Sequence, residues 1–173
     1  MSKFRVYKEH NKEWIDLIGD CLNIILDECF VSNDYNEIKN CMILSQTYYY
    51  PEEENNTKIY LIKKIENREI FKENNFWKNF IEVMIIKQLE IYQETNKLIN
   101  VDLIQGVGIT DNLIKKLGDL FFTQLLSYVN NMIEFNNEKK QIIDIVNYFK
   151  EKYKYLAKED YETLLSVISN RVK

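Results

Sequence analysis

The chain has almost no glycine or proline, and this scarcity constrains its fold more than any other feature. Its 173 residues include only four glycines and one proline. A sandwich or barrel needs many tight turns, and glycine and proline are the residues that most often form them. Long helices joined by short loops need few of either. The sequence therefore predicts an all-α fold.

The size and polarity of the chain suit one folded domain. Apolar residues make up 46% of the sequence and charged residues 29%, which is typical of globular proteins and not of disordered ones. A chain of this length is able to bury a sizeable core. We expect a single helical domain over residues 1–173, with residues 1–8 as a flexible arm. Residues 93–109 form an internal connection and are the best candidate for a hinge.

Apolar residues recur at intervals of three and four along most of the chain, which is the spacing of amphipathic helices. The first helix is predicted over residues 10–30, and its apolar face consists of Trp14, Leu17, Ile18, Cys21, Leu22, Ile25, Leu26 and Cys29. Further helices are predicted over residues 35–49, 57–65, 76–92, 110–134, 137–153 and 158–170. No stretch alternates strongly as a strand would. We expect a single compact bundle of six to seven helices, in which helical pairs could stack in a solenoid-like way.

Sequence signals mark both the start and the end of the second of these helices. Asp34, with Glu37 three residues later, approximates a capping box at its start. Pro51 lacks a backbone donor and biases Tyr50 away from the α conformation. The helix is therefore predicted to run from Tyr35 to Tyr49.

The charge of the chain argues against two classes of ligand. The formal net charge is −4, and the lysines are spread among glutamates. A nucleic-acid-binding protein usually carries a basic excess or a basic stripe, so nucleic acid is not expected as a direct ligand. The acidic balance also disfavours electrostatic docking on anionic lipid.

The cysteines and the hydropathy of the sequence indicate the cellular compartment in which the protein resides. The cysteine count is odd, and Cys21, Cys29 and Cys41 form no C-x-x-C pair, which is typical of buried thiols in a reducing environment. The N-terminus lacks the apolar segment of a signal peptide. No apolar run approaches the length of about 18 residues that suggests a membrane span. We expect a cytoplasmic protein without a transmembrane segment.

No catalytic, cofactor-binding or metal-binding signature is present. His10 is the only histidine, and we expect it on the surface because it lies beside the flexible arm. All three cysteines are most simply small core residues. Gly106 and Gly108 lack the third glycine and the preceding strand of a dinucleotide site. The sequence predicts that the protein is not an enzyme. An enzyme built from scattered carboxylates stays as a less favoured alternative, and its sign would be a carboxylate cluster in a concave pocket.

The tyrosines that precede the proline are the most distinctive feature. Tyr48, Tyr49 and Tyr50 cannot all face inward on a helix, since each residue turns the chain by about 100°. Exposed tyrosines suit a protein partner because they add contact area at low entropic cost. The predicted partner-binding residues are Gln46, Tyr48, Tyr50, Glu52, Glu53 and Glu54. In the alternative interpretation the tyrosines clamp the loop at Pro51 onto the core.

Several segments of the chain resemble a known family. The most specific are Ser-Gln-Thr-Tyr-Tyr (45–49) and Phe-Trp (76–77); the others are Leu-Asp-Glu-Cys-Phe (26–30), Tyr-Leu-Ile-Lys-Lys-Ile (60–65), Leu-Phe-Phe-Thr-Gln-Leu (120–125) and Asn-Asn-Met-Ile-Glu-Phe (130–135). Over about residues 10–168 the chain resembles the helical domain shared by the SET-binding factors, which are myotubularin-related pseudophosphatases, and by small uncharacterised eukaryotic proteins. In the large relatives this domain accompanies modules that act on Rab GTPases and phosphoinositide membranes. The resemblance implies no catalytic residues.

Two functional hypotheses follow. The first is a non-enzymatic cytoplasmic interaction module, an adaptor or regulatory factor for a protein partner, which the resemblance would place in GTPase-linked membrane traffic. The second is a factor bound to the ribosome or another large ribonucleoprotein through mainly protein contacts. The sequence does not identify the partner or the oligomeric state.

Overall fold

The computed structural model describes residues 8–52, 57–96, 111–153 and 156–172. Six α-helices are present in these residues: α1 (Lys12–Ser32), α2 (Tyr35–Ser45), α3 (Asn74–Asn96), α4 (Asp111–Glu134), α5 (Lys139–Lys152) and α6 (Lys158–Arg171). Three short strands accompany them: β1 (Lys8–Glu9), β2 (Tyr48–Pro51) and β3 (Lys58–Tyr60). The all-α class predicted from composition is confirmed, with the addition of a small sheet.

The chain divides into two compact units, residues 1–69 and residues 70–173. The boundary falls within a short 3₁₀ helix, Glu69–Lys72. The arm predicted at residues 1–8 lies outside the described residues except for Lys8. The predicted connection at residues 93–109 does so too, except that residues 93–96 belong to α3.

In the first unit, α1 packs against α2 and against a second 3₁₀ helix, Leu61–Lys64. The start of α2 is as predicted, because Asp34 accepts hydrogen bonds from the main-chain N–H groups of Asn36 and Glu37 through its side chain. Such a cap satisfies donors that the first helical turn leaves unpaired. The core of this unit consists mainly of Ile15, Leu22, Leu26, Ile38, Met42, Leu61 and Ile65.

The end of α2 corrects the prediction. The helix ends at Ser45 and does not continue to Tyr49. The hydroxyl of Ser45 donates to the main-chain oxygen of Met42, and the three tyrosines then become extended. Aromatic residues favour strands where neighbouring strands are available for pairing. β2 is paired on both sides here, parallel with β1 and antiparallel with β3.

A further segment differs from the prediction for the same reason. The helix predicted over residues 57–65 is β3 followed by the 3₁₀ helix Leu61–Lys64. Tyr49 pairs with Tyr60 in the sheet, so the pairing of distant segments takes precedence over local helical spacing. Between this segment and α3 lies the 3₁₀ helix Glu69–Lys72, whose Phe71 is fully buried.

The first helix also buries a different face from the one predicted. Leu22, Leu26 and Cys29 are buried as expected. Leu17, Cys21 and Ile25 are exposed, and the burial of Ile15 and Gly19 completes the inward face instead. The expectation that all three cysteines are core residues is thus wrong for Cys21 and confirmed for Cys29 and Cys41. Because α1 carries apolar residues around most of its circumference, helical spacing alone did not identify the buried face.

The second unit is formed by α3, α4, α5 and α6. The prediction of amphipathic helices is confirmed for α4, α5 and α6. Their buried apolar residues include Phe121, Leu125, Val129, Met132, Ile142, Ile145, Val146, Phe149, Leu164 and Ile168. Trp77 and Phe80 of α3 are fully buried. The ring centroids of Trp77 and Phe135 lie 6.3 Å apart, and those of Phe80 and Tyr128 lie 5.4 Å apart. Aromatic rings therefore pack α3 against the end of α4.

Candidate interaction surface on the first unit

The strand β2 separates the three tyrosines into two sets, because successive residues of a strand point to opposite faces. Tyr49 is buried, and its ring lies 5.5 Å from that of Tyr60. The ammonium group of Lys58 lies 4.6 Å from the centroid of the Tyr49 ring. Tyr48 and Tyr50 share the other face and are half-buried. The tyrosines are thus positioned by strand geometry and not by the helix that was predicted.

Tyr48 belongs to a cluster of three rings at the N-terminal end of α1. The imidazole of His10 stacks on the indole of Trp14, with centroids 3.9 Å apart and planes 14° apart. The ring of Tyr48 lies 5.3 Å from each of the other two. We call His10, Trp14 and Tyr48 the aromatic cluster. All three side chains are half-buried, so each keeps part of its surface in solvent.

The backbone around His10 explains why the cluster is held in place. The amide of His10 donates to the main-chain oxygen of Tyr49 at 2.9 Å, which extends the pairing of β1. Asn11 then caps α1, since its side-chain oxygen accepts from the amide of Trp14 at 2.8 Å. A strand and a capped helix therefore meet at His10. The sequence predicts His10 on the surface beside a flexible arm, whereas the structure leaves it half-buried within the cluster. The signal that could have identified its role was the aromatic residue four positions later.

A groove of about 780 Å³ lies beside the cluster. Its lining residues are Glu9, His10, Asn11, Lys12, Tyr50, Pro51 and Glu52. The groove thus combines an aromatic ring, the single proline and groups of both charges. Tyr50 lines this groove, whereas Tyr48 belongs to the aromatic cluster.

Ion pairs fix the charge at one side of the groove. The ammonium group of Lys12 lies 2.7 Å from the carboxylate of Asp16, and that of Lys64 lies 2.6 Å from the same carboxylate. The hydrogen bonds from Lys12 and Lys64 lower the pKa of Asp16, and the bond to Asp16 raises the pKa of Lys12. Lys12 therefore stays protonated and Asp16 stays ionised over the physiological range.

The six predicted partner-binding residues are not equivalent in the structure. Gln46 has only 6% of its surface exposed, so its side chain is not on the surface. Tyr48, Tyr50 and Glu52 are half-buried. Glu53 and Glu54 lie outside the described residues. The structure brings Tyr50 and Glu52 together in the groove and leaves Tyr48 in the adjoining aromatic cluster.

The arrangement is suited to binding through stacking and polar contacts. Within the described ranges, no three histidine, cysteine or carboxylate side chains are grouped so that they could hold a metal ion. No helix in the described part of the chain is long and apolar enough to cross a membrane.

Comparison with family models, curated proteins and solved structures gives no match.

Proposed function

We propose that this protein is a non-enzymatic interaction module that binds a protein partner through the aromatic cluster and the adjoining groove. The observation that carries the proposal is the packing of three half-buried rings, His10, Trp14 and Tyr48, where a paired strand meets the capped start of α1. Rings held in this way lose little conformational entropy on binding and offer a large contact area. Aromatic residues of this kind dominate the binding energy of many protein interfaces.

The groove supports the same proposal because it adds specificity beside the rings. Tyr50 and Pro51 supply apolar contacts, while Lys12 and Glu52 offer groups of opposite charge. A partner segment that crosses both features would bury aromatic surface at one end and make polar contacts at the other. Polar contacts at the edge of an interface mainly select among partners and add little affinity.

The proposed setting is the cytoplasm. The three cysteines are free, which supports a reducing compartment. A role as an adaptor or regulatory factor in GTPase-linked membrane traffic rests on the resemblance to the helical domain of the SET-binding factors.

The proposal is tested by affinity purification of the full chain from cells that express it, followed by identification of the co-purified proteins. We expect Tyr48→Ala combined with Tyr50→Ala to remove at least one reproducible partner. Tyr35→Ala is the matched control, since Tyr35 is also half-buried but lies at the start of α2. Circular dichroism of each variant shows that the fold is kept. Retention of every partner by the folded double variant would contradict the proposal.

A further inference from the structure

Helix α1 has a second apolar face, opposite the one that it buries. Leu17, Ile24 and Val31 are 62%, 67% and 85% exposed, and they are spaced seven residues apart. Residues at this spacing return to nearly the same side of a helix, with a drift of about 20° each time. Cys21 lies between the first two and is also exposed. We call Leu17, Cys21, Ile24 and Val31 the outward stripe.

The outward stripe is not explained by the packing of the first unit. The residues that face the core are Ile15, Leu22 and Leu26, and they lie on the other side of the same helix. Single exposed apolar residues are common on protein surfaces. Leu17, Ile24 and Val31 fill one of the two seam positions of a coiled-coil heptad over about 21 Å of helix, and Cys21 adds one member of the second position. An aligned face of this kind is able to pack against another helix.

The charges beside the outward stripe identify the kind of helix that would cover it. Glu13, Asp20 and Glu28 are exposed and lie three or four residues from members of the stripe. None of the ion pairs among the described residues includes these three carboxylates. The fourth acidic neighbour, Asp27, is paired with Arg68. Among the described residues, the stripe is therefore accompanied by three carboxylates that make no ion pair, and Glu28, seven residues after Cys21, lies within the stripe itself.

This charge disfavours a second copy of the chain as the occupant. Two α1 helices packed through their outward stripes would bring carboxylates towards carboxylates, which opposes pairing. A helix with apolar residues at heptad spacing, flanked by lysine or arginine, would instead place positive charges beside Glu13, Asp20 and Glu28. Flanking charges of this kind select partner and orientation in helix pairs.

We propose that the outward stripe of α1 docks a basic amphipathic helix of a protein partner. The inference deepens the proposed function, because it rests on the protein being an interaction module and names the chemistry of the partner. Trp14 of the aromatic cluster lies three residues before Leu17, so the two surfaces adjoin on one helix. A partner helix along the stripe would then approach the aromatic cluster with one of its ends.

The test measures binding of a labelled synthetic helix to the full chain by fluorescence anisotropy. The basic probe has about the length of α1, 21 residues, with leucine and isoleucine at heptad spacing and lysines beside them. A matched acidic probe carries glutamate in place of each lysine. We expect the basic probe to bind with an affinity that falls as salt is added, and we expect the acidic probe not to bind. Equal binding of both probes, or binding of neither, would overturn the proposal.

Two kinds of variant show where the basic probe binds. Ile24→Asp should weaken binding roughly tenfold or more, because it puts a charge into the centre of the apolar contact. Val31 is the most exposed member of the stripe, so Val31→Ser tests the apolar contact even if the Ile24 variant does not fold. Asp20→Lys with Glu28→Lys should weaken the basic probe and allow the acidic one to bind. If these variants bind the basic probe as the wild type does, the stripe is not the site.

If something other than a basic helix covers the outward stripe, the experiments give different results. Light scattering that shows a wild-type dimer, converted to a monomer by Ile24→Asp, would assign the stripe to a second copy of the chain. Slow reaction of Cys21 with a thiol reagent in the free native protein would show that the stripe is already covered. Either result overturns the proposal. The two proposals are tested separately, because purification with Tyr48→Ala and Tyr50→Ala tests the aromatic cluster, whereas the paired probes and Ile24→Asp test the outward stripe.

Discussion

The indole N–H of Trp77 donates a hydrogen bond to the side-chain oxygen of Asn137, with 3.1 Å between Nε1 and Oδ1. The same indole also donates to the main-chain oxygen of Phe71 at 2.8 Å. Asn137 in turn donates to the main-chain oxygen of Met132, near the end of α4, at 2.9 Å. Both Trp77 and Asn137 are buried. One buried asparagine thus links α3 to the end of α4.

Asn137→Ala is expected to lower the free energy of unfolding by about 1–3 kcal/mol, because the oxygen of Met132 loses a side-chain donor and the indole N–H loses one of its acceptors. Urea unfolding followed by circular dichroism measures the change. Asn79→Ala is the control, since Asn79 is exposed on α3, and its effect should stay within about 0.5 kcal/mol. Equal stabilities of the two variants would contradict the role of the buried link.

Gly19→Ala is expected to destabilise the first unit although alanine is the better helix former. A Cβ atom at this position would lie 2.7 Å from Cγ and 2.8 Å from Cβ of Lys64. Overpacking of this kind costs about 1–3 kcal/mol, whereas the gain in helix propensity is about 1 kcal/mol. Thermal unfolding should therefore show a lower midpoint for Gly19→Ala and a still lower one for Gly19→Val. A higher midpoint for the alanine variant would show that the 3₁₀ helix Leu61–Lys64 moves away freely.

Arg68→Lys is expected to cost about 1–2 kcal/mol, even though the charge is kept. One guanidinium nitrogen of Arg68 donates to the main-chain and side-chain oxygens of Asn23, at 3.3 and 2.8 Å, and another pairs with Asp27. A lysine ammonium cannot reproduce this forked geometry. Asp27→Asn removes only the ion pair and keeps the contact between Arg68 and Asn23. Because the Asp27 side chain is 67% exposed, and an exposed pair contributes less than about 1 kcal/mol, this variant should lose little stability. Chemical unfolding of both variants should rank Arg68→Lys as the more damaging.

Cys41 is expected to make the fold sensitive to alkaline pH. Burial raises the pKa of the Cys41 thiol from 9.0 to about 11, so the folded state holds this proton more tightly than the unfolded chain does. The resulting stabilisation is fully present below pH 9.0 and is lost as the pH rises through about 11. The loss amounts to roughly 3 kcal/mol.

The measurement is the free energy of unfolding at several pH values across this range. Tyr128, whose pKa burial raises to about 12, acts in the same direction at higher pH. Comparison with Cys41→Ala isolates the cysteine, because the variant should lose stability less steeply between the two pKa values of the thiol. Parallel pH profiles for the variant and the wild type would contradict the prediction.

The candidate surface shows how far sequence reasoning reaches. The tyrosines before Pro51 stood out correctly as unusual, because no helix buries three consecutive aromatic rings. Their conformation was wrong in the prediction, since the partners of β2 lie in β1 and β3, and strand pairing between distant segments leaves no local signal. The aromatic cluster was missed for the same reason, as Tyr48 is far from His10 and Trp14 in the chain.

The sequence by itself determined the helical class, the capped start of α2 and the amphipathic character of α4, α5 and α6. These features follow from local spacing and local hydrogen bonds, which a single segment carries. Only the tertiary structure decided which face of α1 is buried. That helix is apolar on two sides, and Gly19 allows Lys64 to approach the inward side more closely than a side chain would permit. Close packing against one side left Leu17, Ile24 and Val31 exposed on the other.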